Sequence, residues 1–140
     1  MKPAFVADAS VAVAWVHPSQ ATPETDAMLD AVAGGAILEV PALWPMEVAN
    51  ALLVLARRGK LADDERQVAL GWLQGLPVRI DTDASTLAFS RLSELADTYQ
   101  LSIYDAGYLE LAQRRKLAMG CKDGALRKAA KRAGVRLWSS

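Results

Sequence analysis

Four acidic residues stand where an apolar fold gains nothing from a charge. Asp8 closes the run Phe5-Val6-Ala7, Glu47 and Asp105 fall in the first turns of expected helices, and Asp123 follows the apolar Leu117-Ala118-Met119. Carboxylates gathered at one point repel, and one must keep a proton unless a cation neutralises the group. An all-oxygen donor set suits Mg²⁺ or Mn²⁺, not zinc. One histidine, His17, and one cysteine, Cys121, leave no competing Cys/His ligand spacing. A cation held by carboxylates with open positions activates water and stabilises an in-line displacement at phosphorus. Taken singly, each acid has a plainer use. Asp8 suits a helix cap, Glu47 a first-turn partner of the helix dipole, Asp105 a solvated position and Asp123 the N-cap of the last helix. Spacing by itself does not bring the four together.

The elements that must position them follow from punctuation and periodicity. Phe5 to Asp8 reads as a short buried strand, with Ser10 as the cap of a helix from Val11 to about Val16, ended by Pro18. Thr22-Pro23-Glu24 opens a second helix with a capping hydroxyl, a first-turn proline and an acid, and Gly34-Gly35 closes it. Ile37 to Val40 is a second buried strand. Pro41 and Pro45 start a long helix to Arg58, stopped by Gly59. A helix from Asp63 or Asp64 ends near Gly75, and Val78-Arg79-Ile80 is a strand. Thr82-Asp83 caps a helix with a single apolar stripe: Ala84, Leu87, Ala88, Leu92, Leu95, Ala96 and Tyr99. A helix spans about Tyr104 to Arg115, Leu117-Ala118-Met119 is a strand, Asp123 to Arg132 a helix stopped by Gly134, and Val135 to Trp138 the last strand.

Short apolar strands alternating with helices predict an α/β fold: one three-layer domain over residues 1–140, with a mainly parallel central sheet flanked by helices. In such sheets active groups collect beyond the carboxyl ends of the strands, where all four acids can share one rim. The third helix is apolar nearly all round, through Val48-Ala49 and Ala51 to Ala56. A surface helix keeps a polar face, so this one calls for cover on two sides, one by the sheet and the other by a helix or a second chain.

Composition narrows the class. The chain has 140 residues, 52% of them hydrophobic, which supports a packed core and argues against disorder. Its apolar runs fall short of the roughly 18–20 residues of a membrane span. With a lone cysteine and no visible secretory signal, a cytoplasmic location is expected. The formal net charge is zero but unevenly spread: nine Lys or Arg between Arg114 and Arg136 face Asp123 alone. A basic end on an acidic body suits a polyanion, and Arg114, Arg115, Lys128 and Lys131 are the candidates to hold an RNA backbone. A solvated helix face explains the same residues. His17, beside Pro18, reads as a turn residue; Trp15, Trp44, Trp72 and Trp138 read mostly as packing groups.

Four blocks in order carry a family resemblance: Asp8-Ala9-Ser10; Pro45 to Leu52; Ser102 to Ala112, with Tyr104-Asp105-Ala106-Gly107-Tyr108-Leu109; and Asp123 to Ala130 with Gly134-Val135 after it. Together they resemble the PIN-domain family, and within it the VapC-type toxins, ribonuclease halves of bacterial toxin–antitoxin pairs. The resemblance implies that Asp8, Glu47 and Asp105 bind Mg²⁺ or Mn²⁺, with Asp123 completing the quartet. It implies that Ser10 supports the first acid, and that Asn50, one turn beyond Glu47, stands behind the ligands. It further implies an RNA substrate, a homodimer, and an antitoxin that covers the groove near the third helix. One departure is Cys121, where many relatives carry Thr or Ser; a thiol is the poorer hydrogen-bond partner and here reads as a small apolar group at a strand end.

Rival readings differ in particular residues. An aspartyl-phosphate phosphotransferase wants an acid two residues after the first, where Ser10 stands. A receiver domain wants an acid pair near the first strand end, which this sequence lacks. A DNA-directed nuclease shares the same acids. The main alternative is a catalytically inactive PIN-like module that binds RNA or protein; the presence of all four acids favours the metal-dependent endoribonuclease.

Overall fold

The computed structural model describes residues 3–122 and 124–140. Four short strands, β1 (Ala4–Ala7), β2 (Ile37–Pro41), β3 (Val78–Asp81) and β4 (Met119–Gly120), form one sheet in the order β3-β2-β1-β4, every pair parallel. β1 lies inside the sheet, with Val6 opposite Glu39 of β2 and opposite Met119 of β4. Residues alternate between the two faces, so side chains at register partners share a face. Glu39 reaches Arg115 at 3.1 Å, which puts Val6, Glu39 and Met119 on the side of helix α7 (Ile103–Arg115). On the other side, a Cβ added at Gly120 would collide with Met28 of α2 (Pro23–Ala33), so a glycine lets this helix sit close to β4. The result is a three-layer α/β arrangement with an all-parallel sheet, as the alternation of strands and helices predicts.

The local rules account for most helix boundaries. Thr22 caps α2: its hydroxyl accepts from Thr25 N–H at 3.1 Å, the Thr25 hydroxyl accepts from Thr22 N–H at 2.8 Å, and Pro23 fills the first turn. Ser102 caps α7, accepting from the Asp105 N–H at 3.0 Å. Gly134, with φ 77°, turns the chain after α8 (Gly124–Arg132). Helix α1 (Ala9–Val16) begins earlier than expected: Asp8 holds the cap position, and Ser10 lies inside the helix with its hydroxyl turned to the Asp8 carboxylate.

Three further expectations change. The helix expected after Thr82-Asp83 is divided into α5 (Ala84–Leu87), a π-helical stretch Ala88–Leu92 and α6 (Ser93–Tyr99). Its stripe still delivers Leu92, Leu95 and Ala96 to the core, while Phe89 points fully to solvent. The final strand reduces to a parallel bridge of Leu137 to Met119, with Trp138 folded back on Phe5 at a ring separation of 5.7 Å. Helix α3 (Trp44–Arg57) buries only Trp44, Val48 and Leu52, against α1 and against α4 (Asp63–Gln74) more than against the sheet; Met46 stays 62% exposed. The covers of α3 are therefore two helices of the same chain, not the sheet and a helix, and part of its apolar surface stays exposed.

Candidate active site

Asp8 follows the last residue of β1 and stands at the mouth of α1, with only 7% of its surface exposed. Its N–H still bonds the Gly120 carbonyl of β4 at 3.2 Å, so the sheet holds its backbone. Its Oδ1 accepts a 2.6 Å hydrogen bond from Ser10, the short distance of a hydroxyl donating to an anion. Ser10 in turn lies 3.4 Å from the Lys122 N–H, so the first acid is tied to the segment after β4. Ser10 thus bonds the first acid directly.

Glu47 and Asp105 each occupy the first turn of a helix, α3 and α7, where the positive end of the helix dipole favours a carboxylate. What links them is Tyr108, one turn beyond Asp105 on α7. Its hydroxyl donates to Glu47 Oε1 at 2.8 Å, and its side chain is only 1% exposed. The phenol is held in its protonated form. Burial is the main cause, followed by the bond to Glu47 and then by the negative charges of Glu47, Asp8 and Asp105. Three acids from three elements thus act on a single buried hydroxyl. Glu47 itself is raised above the ordinary glutamate value, chiefly by burial; Tyr108 opposes the rise and the Asp105 charge adds to it.

The Asp105 charge acts on Glu47 as a repulsion, which a cation would relieve. Among the described residues no three Asp, Glu, His or Cys side chains close into a ready-made cage. Glu47 accepts from the phenol, and Asp8 and Asp105 act on it through their charge. Such a set suits a hard, hydrated divalent cation, which takes one or two carboxylates and retains waters. Asp123, the fourth expected acid, lies outside the described residues. Cys121, just before it, is buried among apolar groups, and its carbonyl accepts from Arg127 at 3.2 Å. Asn50 is exposed on α3, three residues beyond Glu47.

The basic residues divide. Lys128 and Lys131 are exposed on α8, opposite the buried Leu126, Ala129 and Ala130. Arg114 and Arg115 are not brought to the acids: they stand nine and ten residues along α7 from Asp105, about 14 Å and 15 Å at the helical rise. Arg114 donates to Glu110 at 2.8 Å and to Asp81 at 2.8 Å and 3.0 Å, and reaches Asp83 at 3.3 Å. Arg115 pairs with Glu39. Sequence reasoning overlooked this ion-pair group. Glu39 and Glu110 were hidden inside apolar stretches, and only an acid in a buried strand with arginines elsewhere could have signalled it.

A scan against protein-family models finds no match, and no curated protein is similar at a significant level. Solved structures do match. PAE2754 from Pyrobaculum aerophilum superposes with a TM-score of 0.63 and 22% identity, over 92% of this chain and 87% of that one. FitAcB from Neisseria gonorrhoeae gives 0.61 and 16%, over 96% of each chain. The fold is PIN-like. At these identities the likeness establishes architecture, and function rests on the site.

Proposed function

We propose that this PIN-like chain is a metal-dependent endoribonuclease that hydrolyses RNA phosphodiester bonds as the VapC-type toxin of a toxin–antitoxin pair. The observation that carries this reading is the buried Tyr108, whose hydroxyl donates to Glu47 at 2.8 Å and feels the charges of Glu47, Asp8 and Asp105. Charge is costly to bury, and three acids from separate elements around one point gain nothing for stability. The same three residues stand in the blocks that resemble the acidic core of PIN ribonucleases.

In this reading Asp8, Glu47 and Asp105 hold Mg²⁺ or Mn²⁺, with Asp123 as the fourth acid; bound there, the cation supplies Lewis acidity and an activated water. Ser10 orients Asp8 by its 2.6 Å bond. Asn50 flanks Glu47, and the exposed lysines of α8 hold the phosphate backbone. The half-covered apolar face of α3, with Met46, Leu53 and Val54, is the surface offered to protein partners, an antitoxin and a second copy of the chain. No helix among the described residues is long and apolar enough to cross a membrane.

The test is cleavage of a panel of RNAs by the purified chain with Mn²⁺, with Mg²⁺ and with chelator, beside Asp8→Asn. Metal-dependent cutting that disappears in the variant is expected. Absence of both cutting and Mn²⁺ binding would instead favour the inactive binding module.

A further inference from the structure

We infer that Tyr108 is a positioning residue for the acidic site, fixing Glu47 so that one carboxylate oxygen is committed to the protein and the other is left for a cation. The inference rests on the nuclease reading and adds a residue to it. Tyr108 and Glu47 are 61 positions apart, on α7 and α3, the two helices whose first turns supply Asp105 and Glu47. The 2.8 Å bond therefore sets the spacing between two acids that no strand pairing fixes. Asp8 is placed by the sheet and by Ser10; Asp105 is placed by the Ser102 cap, whose hydroxyl takes its N–H. Glu47 has no side-chain cap: its N–H goes to the Leu43 carbonyl at 2.9 Å, and the only hydrogen bond that its own carboxylate accepts among the described residues comes from Tyr108.

The chemistry favours tyrosine over any other residue at this position. Phenylalanine would fill the same apolar space, packed as Tyr108 is within the core cluster. The added hydroxyl must find a partner when buried, and its partner here is Glu47. A phenol donates a hydrogen bond without bringing positive charge. It restrains Glu47 without neutralising it, as a lysine or arginine would, so the negative charge remains available. The bond falls on Oε1; among the described residues Oε2 accepts no hydrogen bond. A carboxylate clamped at one oxygen loses less freedom on binding a cation than one free to rotate.

Tyr108→Phe removes the hydroxyl alone. Mn²⁺ binding to the purified chain without RNA is measured by calorimetry, and RNA cleavage is titrated with Mn²⁺. The variant is expected to bind Mn²⁺ about tenfold to a hundredfold more weakly, the usual scale for a group that orients a ligand. Saturating Mn²⁺ should restore cleavage. Combined with Glu47→Gln, it should cost no further affinity, because its effect passes through Glu47. Unchanged affinity in Tyr108→Phe, or an equal loss in the Glu47→Gln background, overturns the role of Tyr108. If the parent chain binds Mn²⁺ and cuts RNA in that case, the nuclease reading stands without it. A parent that neither binds nor cuts removes both.

Discussion

At Glu47, burial and the Asp105 charge lift the carboxyl above its ordinary value of 4.5, against the lowering bond from Tyr108. A carboxyl lifted on folding favours the folded state least where it is ionised. Its cost is absent below pH 4.5, grows as pH rises through the folded value, and is complete above it. In chelator, Glu47→Gln is therefore expected to melt at a higher temperature than the parent at pH 7. That advantage should shrink to nothing as pH falls to 4.5, and a lower melting temperature at pH 7 would contradict it. Stability gained by removing a functional acid is the signature of a site selected for chemistry. For catalysis, Asp105→Asn keeps the helix cap at Ser102 and the fold, which circular dichroism would check. Its cleavage rate should fall by roughly a hundredfold or more, the scale of losing one preorganised electrostatic contact. Full activity in that variant would discard the proposed site. Asp8, Glu47 and Asp105 were legible as odd charges in apolar settings. Tyr108 was visible only as part of a motif, because a hydroxyl inside an apolar helix does not announce its partner.

α7 carries two separate duties along its length. Its first turn presents Asp105 to the rim, and its last turn anchors the helix to the sheet through Arg114 and Arg115. The Arg114 guanidinium is divided among Glu110, Asp81 and Asp83, and holds Asp81 below its usual 3.8 mainly by hydrogen bonding, against the effect of burial. Because Asp81 is lowered, its stabilisation is present at neutral pH and is lost as pH falls below 3.8. Asp81→Asn should flatten the acid limb of the stability curve in that range; an unchanged limb would mean that the pair contributes nothing. Arg114→Ala leaves the buried Glu110 without its partner and should cost about 1–3 kcal/mol, at the lower end for a broken buried pair because the guanidinium is partly solvated. Chemical denaturation measures it. Helix existence was readable here from caps and periodicity. The π-helical turn at Ala88–Leu92 was not, since the apolar stripe survives it.

Over the whole molecule, the uneven charge resolves into two roles. Part of the basic end is consumed by internal pairs, Arg114 and Arg115 on α7 and Arg127 with Glu24. Lys128 and Lys131 remain exposed on α8, whose apolar residues face inward. Reversing both, Lys128→Glu with Lys131→Glu, should weaken RNA binding and reduce the salt slope by about two phosphate contacts. Binding measured at several salt concentrations decides it, and an unchanged slope would take α8 out of the interface. The same scale governs α3: it buries Trp44, Val48 and Leu52 against α1 and α4 and leaves Met46 exposed.

The sequence by itself determined the layered α/β class, most helix limits and the acids that stand out from apolar surroundings. Those features depend on neighbours within a few residues: caps, prolines, glycines and apolar periods. Only the tertiary structure decided that Asp8, Glu47 and Asp105 act on one phenol, that Ser10 turns to Asp8 in place of capping a helix, and that Arg114 and Arg115 stand about 14–15 Å from Asp105. Each of these is a contact or a separation set by how β1, α3 and α7 pack. Neither the direction of a side chain at a helix end nor the partner of a buried polar group is written in local spacing.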